Sequence, residues 1–304
     1  MPGVHRVRLE VERDRAALRA AARVVPSAAA ETGQQREQGK ESAHGGEHYG
    51  RKDESTEVTE VQDRGPAAYI AEFVGTLLLV FFITAVVSLY VSTNPQSFID
   101  FSVIGLVHAF LLFGLIQTLA VVSGAHFNPA VTCAMTALRQ IKLPDAVIYI
   151  VAQLAGGVAG ALLTKALLLD EGKGVNYGAT LVSDRLSGDI LPGMAAEAIG
   201  TFFLVWVIVG VAVNPRAAED WAALAIGGAL GMGVMVMAPL TGAGFNPARS
   251  FGPAIVSGEW GGADHFLLVY VAGPVIGALV AAVLYFVIIE TPGKREPGGI
   301  EPVG

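Results

Sequence analysis

Apolar positions in this chain come in long unbroken runs rather than at helical or strand periods. Beyond residue 65 they fall at about 67–91, 101–122, 144–169, 191–213, 221–240 and 264–289, each bounded by turn-forming or charged residues. A bilayer core of about 30 Å needs roughly 20 apolar residues of helix, so the pattern predicts six spanning helices. Two shorter apolar stretches, 128–138 and 246–257, reach only about 18 Å at 1.5 Å per residue, so each is expected to enter the membrane without crossing it.

The two halves of the chain repeat each other. Ala71-Glu72-Phe73-Val74-Gly75-Thr76 recurs as Ala196-Glu197-Ala198-Ile199-Gly200-Thr201, and Leu154-Ala155-Gly156 is echoed by Val271-Ala272-Gly273. Gly124-Ala125-His126-Phe127-Asn128-Pro129-Ala130 recurs as Gly242-Ala243-Gly244-Phe245-Asn246-Pro247-Ala248. Each half holds three spans, an odd number, so the second must lie inverted relative to the first, and the short stretches enter from opposite faces. The fold class expected is an all-α membrane protein of six transmembrane helices and two re-entrant half-helices in an inverted repeat, with repeats at about 66–170 and 190–290. Small residues four apart (Ala71/Gly75, Gly156/Gly160, Ala196/Gly200, Gly227/Gly231, Gly273/Gly277) predict close helix packing.

Charge completes the outline. Residues 1–65 hold 11 of the 20 Lys and Arg and 12 of the 27 Asp and Glu, and read as a hydrophilic, disordered tail; residues 291–304 form a short second tail around the 66–290 membrane domain. Six Arg interspersed with acids over residues 1–24 exclude a secretory signal. Arg51, Lys52, Arg64, Arg139, Lys142, Arg216, Lys294 and Arg295 fall on one side of the spans, against Lys165, Lys173 and Arg185 on the other, which predicts that both termini are cytoplasmic. The net charge of -7 carries no basic stripe, so nucleic acid is not a partner, and a single cysteine, Cys133, excludes a disulfide framework or Cys-rich metal site. No cofactor or metal is called for.

Asn is a favoured helix N-cap and Pro a favoured first helical residue, so Asn128-Pro129-Ala130 and Asn246-Pro247-Ala248 each start a half-helix at its buried tip. Such ends are tolerated in a membrane only where they line a watery cavity. With the cap oxygens serving the backbone, the Asn NH₂ groups are expected to be free as donors toward that cavity. Two N-termini meeting head to head place about half a positive charge each at the midplane, which repels cations and hydronium while water passes. Two such tripeptides, 118 residues apart at matching positions of an inverted repeat, resemble the aquaporin (major intrinsic protein) family over residues 66–290. The resemblance implies a homotetrameric channel for water and small uncharged solutes.

Arg249 lies one turn into the second half-helix where the first has Val131, and an intramembrane charge is a functional candidate. In the family this Arg belongs to an outer constriction, whose other positions fall on His108, Val234 and Ala243; the set is similar to the filters of plant tonoplast aquaporins. Ser250 and Ala254 resemble the family's water branch, whereas Val271 stands where that branch has Trp. Solutes larger than water, such as ammonia, glycerol, urea or hydrogen peroxide, are therefore expected to pass. Glu72 and Glu197 are read as fixed acceptors for the loops before the half-helices, and His126 as a loop-packing residue. The competing reading is an inverted-repeat transporter that couples protons through Glu72 and Glu197. His-Glu-x-x-His and Gly-x-Ser-x-Gly are absent from the sequence, so an enzyme is not expected.

Overall fold

The computed structural model describes residues 64–91, 100–214, 217 and 219–290. The tails expected at 1–65 and 291–304 lie, apart from Arg64 and Gly65, outside the described residues. Among the described residues six helices are long and apolar enough to cross a membrane: α1 (Pro66–Tyr90), α2 (Phe101–Ser123), α4 (Leu143–Leu167), α5 (Ile190–Val213), α6 (Ala222–Thr241) and α8 (Ala263–Ile288). Between them lie the half-helices α3 (Pro129–Ala137) and α7 (Pro247–Ser257). Every boundary falls within two residues of the apolar runs in the sequence.

Local chemistry sets the ends. Pro66 and Pro144 begin α1 and α4 at positions whose N–H has no helical partner. The Asp100 side chain caps α2 by accepting from Ser102 N and Val103 N. Gly124, Gly242 and Gly258, at φ 84°, 77° and 80°, close α2, α6 and α7 in the left-handed conformation that costs glycine nothing.

The helices pair as an inverted repeat requires. In the first half α1 packs along α4, and in the second half α5 packs along α8. Across the pseudo-twofold axis α2 meets α6, α3 lies against α8, and α7 against α4, so each half-helix rests on the last span of the other half. Small residues allow this proximity: a methyl on Gly156 or Gly160 would sit 2.4 Å from the carbonyl oxygen of Phe73 or Leu77 in α1, and one on Gly277 2.1 Å from that of Ala198 in α5. Gly227 and Gly231 admit the backbone of α2 in the same way. Gly75 and Gly200 differ from the expected helix-to-helix role, because aromatic rings from the half-helix loops occupy the space above them. Large apolar side chains such as Val121, Val151, Leu191 and Val236 cover the outside, as a lipid-facing surface requires.

Candidate functional site: the pore

The tips of α3 and α7 meet. Oδ1 of Asn128 accepts from Ala130 N at 2.8 Å, and Oδ1 of Asn246 from Ala248 N at 3.0 Å and Arg249 N at 3.3 Å, so each Asn caps its own helix. Their amides are not wholly free, as the sequence had suggested. Asn128 Nδ2 donates to the carbonyl of Phe245 at 2.9 Å, and Asn246 Nδ2 donates to that of Phe127 at 2.8 Å. One N–H of each NH₂ thus ties its half-helix to the opposite loop, and the second remains for the cavity that both residues line.

The loops feeding the tips are strained. Ala125, Phe127, Ala243 and Phe245 have φ of 53°, 49°, 50° and 51°, a left-handed conformation that costs residues with a Cβ roughly 1–2 kcal/mol each. Two carboxylates hold them. Glu72 accepts from His126 N (2.9 Å), Phe127 N (2.6 Å), Ser123 Oγ (2.7 Å) and Gln153 Nε2 (2.8 Å). Glu197 accepts from Gly244 N (2.8 Å), Phe245 N (2.6 Å) and Thr241 Oγ1 (2.6 Å). Three residues along each helix, Gly75 and Gly200 seat the rings of Phe127 and Phe245. The repeated Ala-Glu-x-x-Gly-Thr is therefore a loop receptor: the Glu takes the backbone donors and the Gly takes the ring.

The halves diverge around these receptors. His126 Nδ1 lies 3.1 Å from Thr132 Oγ1, its ring meets Tyr149 edge-on at 5.3 Å between centroids, and it also lines the pore. Its counterpart is Gly244, where a methyl would stand 2.5 Å from Ser250 Oγ and 2.9 Å from Glu197 Oε2, so no side chain fits. Tyr149 and Tyr270, from non-equivalent positions of α4 and α8, donate to the matching carbonyls of Ser123 and Thr241, at 2.8 and 2.9 Å.

Two chambers make up the pore. The first, about 330 Å³, runs past Arg64, Leu79, His126, Asn128 and Asn246 to His108 and Arg249. The second, 340 Å³, begins at His108 and Arg249 and continues past Val234, Asn176 and Gly178. Arg64 precedes α1, whereas Gly178 packs against Thr84 and Val87 near its far end, twenty residues or about 30 Å along the helix. The two chambers together thus cover about that length, and His108 and Arg249, which line both, stand where the two spaces join. His108 Nδ1 is 2.7 Å from the carbonyl of Ile104, which leaves Nε2 unengaged by that contact. Arg249, 3% exposed, donates from Nη1 to the carbonyl of Gly178 at 2.8 Å, and its buried Nε has no partner among the described residues. Val234 lines only the second chamber, and Ala243, which is buried, lines neither. Cys133 on α3 is half-buried and also lies outside both linings.

Gly178, Phe127, Phe245 and Gln153 were not singled out by the sequence. The two Phe were visible inside the repeated heptapeptide. Gly178 left no signal, because only its carbonyl is used.

Residues 60–285 match the family described as major intrinsic protein. The chain belongs to this family. Among curated relatives, Nodulin-26 of Glycine max is 38% identical over 222 residues, covering 73% of this chain and 78% of that protein. The "Glycerol uptake facilitator protein-like 6" of Lactiplantibacillus plantarum is 39% identical over 221 residues, 70% of this chain and 94% of that one. "Probable aquaporin PIP2-8" of Arabidopsis thaliana is 38% identical over 232 residues, 73% and 81% of the respective chains. The solved aquaglyceroporin of Plasmodium falciparum shares the fold with a TM-score of 0.64 at 23% identity, over 73% of this chain and 96% of that one. This major intrinsic protein is an integral, multi-pass membrane protein and a passive channel for water and small solutes. The proton-coupled transporter reading is not favoured, and both carboxylates it would use are occupied by the pore loops.

Proposed function

We propose that this channel conducts water together with small neutral hydrogen-bonding solutes, ammonia foremost, through a constriction made by His108, Val234 and Arg249. The observation that carries the reading is that, among the described residues, His108 and Arg249 are the two that line both chambers, while Val234, small and apolar, lines the second. A solute there finds donors on one side and width on the other. Arg249 supplies a fixed positive charge in a buried setting, which repels cations and accommodates neutral acceptors. Ala243, the fourth position expected from the sequence, is buried outside both linings and takes no width from the pore.

At the midplane, the remaining N–H of Asn128 and of Asn246 donates to the oxygen of a passing water, so its own hydrogens point outward along the file. The paired half-helix N-termini add about half a positive charge each. Water therefore moves, and a proton relay through the file is opposed. Asn128-Pro129-Ala130 and Asn246-Pro247-Ala248 form this central station; Glu72, Glu197 and His126 support it. The relatives' names include both aquaporins and a glycerol facilitator, which agrees with a filter that is not restricted to water.

The assembly inferred is a homotetramer in the cell membrane with one pore per subunit and both termini cytoplasmic, the orientation supported by the Lys and Arg excess on one side. The deciding experiment is stopped-flow light scattering and pH-dye measurement on proteoliposomes, run in parallel for water, ammonia, urea and glycerol. Water flux accompanied by ammonia flux at least several-fold above empty liposomes is expected. Good water flux with none of the other solutes above background would refute the filter assignment.

A further inference from the structure

The inverted repeat maps each constriction residue onto a partner at the other end of the pore. Subtracting the 118-residue offset carries His108 forward to Ile226, and Val234, Ala243 and Arg249 back to Ile116, Ala125 and Val131. All four counterparts line the first chamber. The pore therefore has a mirror ring without a polar side chain, and the Val131 position lacks the guanidinium that Arg249 supplies at the other end.

A guanidinium nevertheless reaches that end. Arg64, from just before α1, lines the same chamber with His126 and Gln140. Its Nη2 lies 3.8 Å from the position a methyl on Gly124 would take, in the loop that leads to Asn128. Its main chain is anchored: Arg64 N donates to Asp145 Oδ2 at 3.3 Å, and the Tyr69 hydroxyl donates to the Arg64 carbonyl at 3.0 Å and to Asp145 Oδ1 at 2.5 Å. The Nε atom is buried and has no hydrogen-bond partner among the described residues. An Arg whose backbone is fixed, and whose buried Nε is not consumed by a protein acceptor among the described residues, can donate to whatever occupies the chamber.

We propose that Arg64 is a second cation-rejecting residue, on the chamber that Arg249 also lines, and that the two act as barriers in series. With barriers in series the tallest remaining one sets the leak, so removing either arginine leaves the other in place, and removing both leaves only the weaker midplane dipoles. The proposal rests on the reading of Arg249 as a filter residue. His126, Gln140 and the Asp145 carboxylate face the same region; the carboxylate is engaged by Tyr69 and the Arg64 amide.

The test is proton and potassium leak into dye-loaded proteoliposomes under a diffusion potential, expressed per water-conducting channel from stopped-flow on the same vesicles. Arg64→Gln and Arg249→Val are each expected to leak within about twofold of the unmodified protein, and the double variant at least tenfold more. Arg64→Lys combined with Arg249→Val, which keeps the charge, should restore tightness; a merely structural Arg64 would not distinguish Lys from Gln in this way. Arg249→Val leaking as much as the double variant, or a water-conducting double variant as tight as the unmodified protein, would overturn the proposal. A leak in Arg64→Gln alone equal to that of the double would uphold Arg64 as a barrier and refute the Arg249 assignment, so the two failures are separable.

Discussion

Asn128 and Phe245 meet across the midplane: the side-chain amide of one donates to the main-chain carbonyl of the other at 2.9 Å, over 117 positions of sequence. The reciprocal bond from Asn246 to Phe127 closes a pair that holds the two half-helix tips together. Truncating either Asn removes a cap worth about 1 kcal/mol and a cross-half hydrogen bond of similar size. Asn128→Ala and Asn246→Ala should each lower water flux and the thermal midpoint in detergent. The double variant should lose more than the sum, because the bonds share one interface. Flux equal to the unmodified protein in a correctly assembled double variant would rule out this midplane arrangement.

Gly200 has no room for a Cβ, which would stand 2.0 Å from the Phe245 ring, and Gly75 is matched to Phe127 at 2.1 Å. Overpacking of this kind costs typically 1–3 kcal/mol. Gly200→Ala is expected to lower the melting temperature in detergent by several degrees, and Phe245→Leu in the same chain to recover part of the loss. Were Gly200→Ala as stable as the original, the ring could not be seated where it is described.

Glu197 spends its two oxygens on Gly244 N, Phe245 N and Thr241 Oγ1. Glu197→Gln turns one acceptor into a donor that faces a donor, which costs about 1–3 kcal/mol for the group left unsatisfied. The yield of folded channel should drop, and the surviving molecules should still equilibrate solute passively. Accumulation of solute against its gradient when a pH difference is imposed, abolished by this substitution, would instead revive proton coupling.

Val234→His with His108→Phe exchanges an apolar width for a ring on α6 and moves the aromatic on α2 to carbon. This pair should narrow the junction at Arg249, leaving water flux measurable while ammonia and urea fluxes fall toward those of empty liposomes. Parallel stopped-flow on both proteins decides it: undiminished ammonia flux in the double variant would place the selective step elsewhere in the pore.

The parts of this protein that local sequence determines are those whose physics is local. Apolar run length sets the six spans, because the bilayer thickness fixes how many residues a helix needs. Asn-Pro fixes where α3 and α7 begin, because the cap bonds to residues two and three positions on. The internal repeat, read from odd spans per half, fixes the inversion. Even the paired Glu and Gly of α1 and α5 were visible as a recurring pattern, the Glu as acceptors for the half-helix loops, though not the Gly as seats for the Phe127 and Phe245 rings.

Tertiary structure decided what depends on contacts between distant segments. The second bond of each Asn amide goes to the other half, so a chain read linearly leaves it free. Arg249 is aimed by the carbonyl of Gly178, 71 positions away, and a carbonyl is carried by every residue, so sequence cannot mark it. Arg64 reads as a tail charge before the first span; only the way the Gly124 loop and α1 come together brings its guanidinium to the pore. The boundary follows from the period of the signal: bonds closed within a turn of helix write themselves into neighbouring letters, and bonds closed by packing two inverted halves do not.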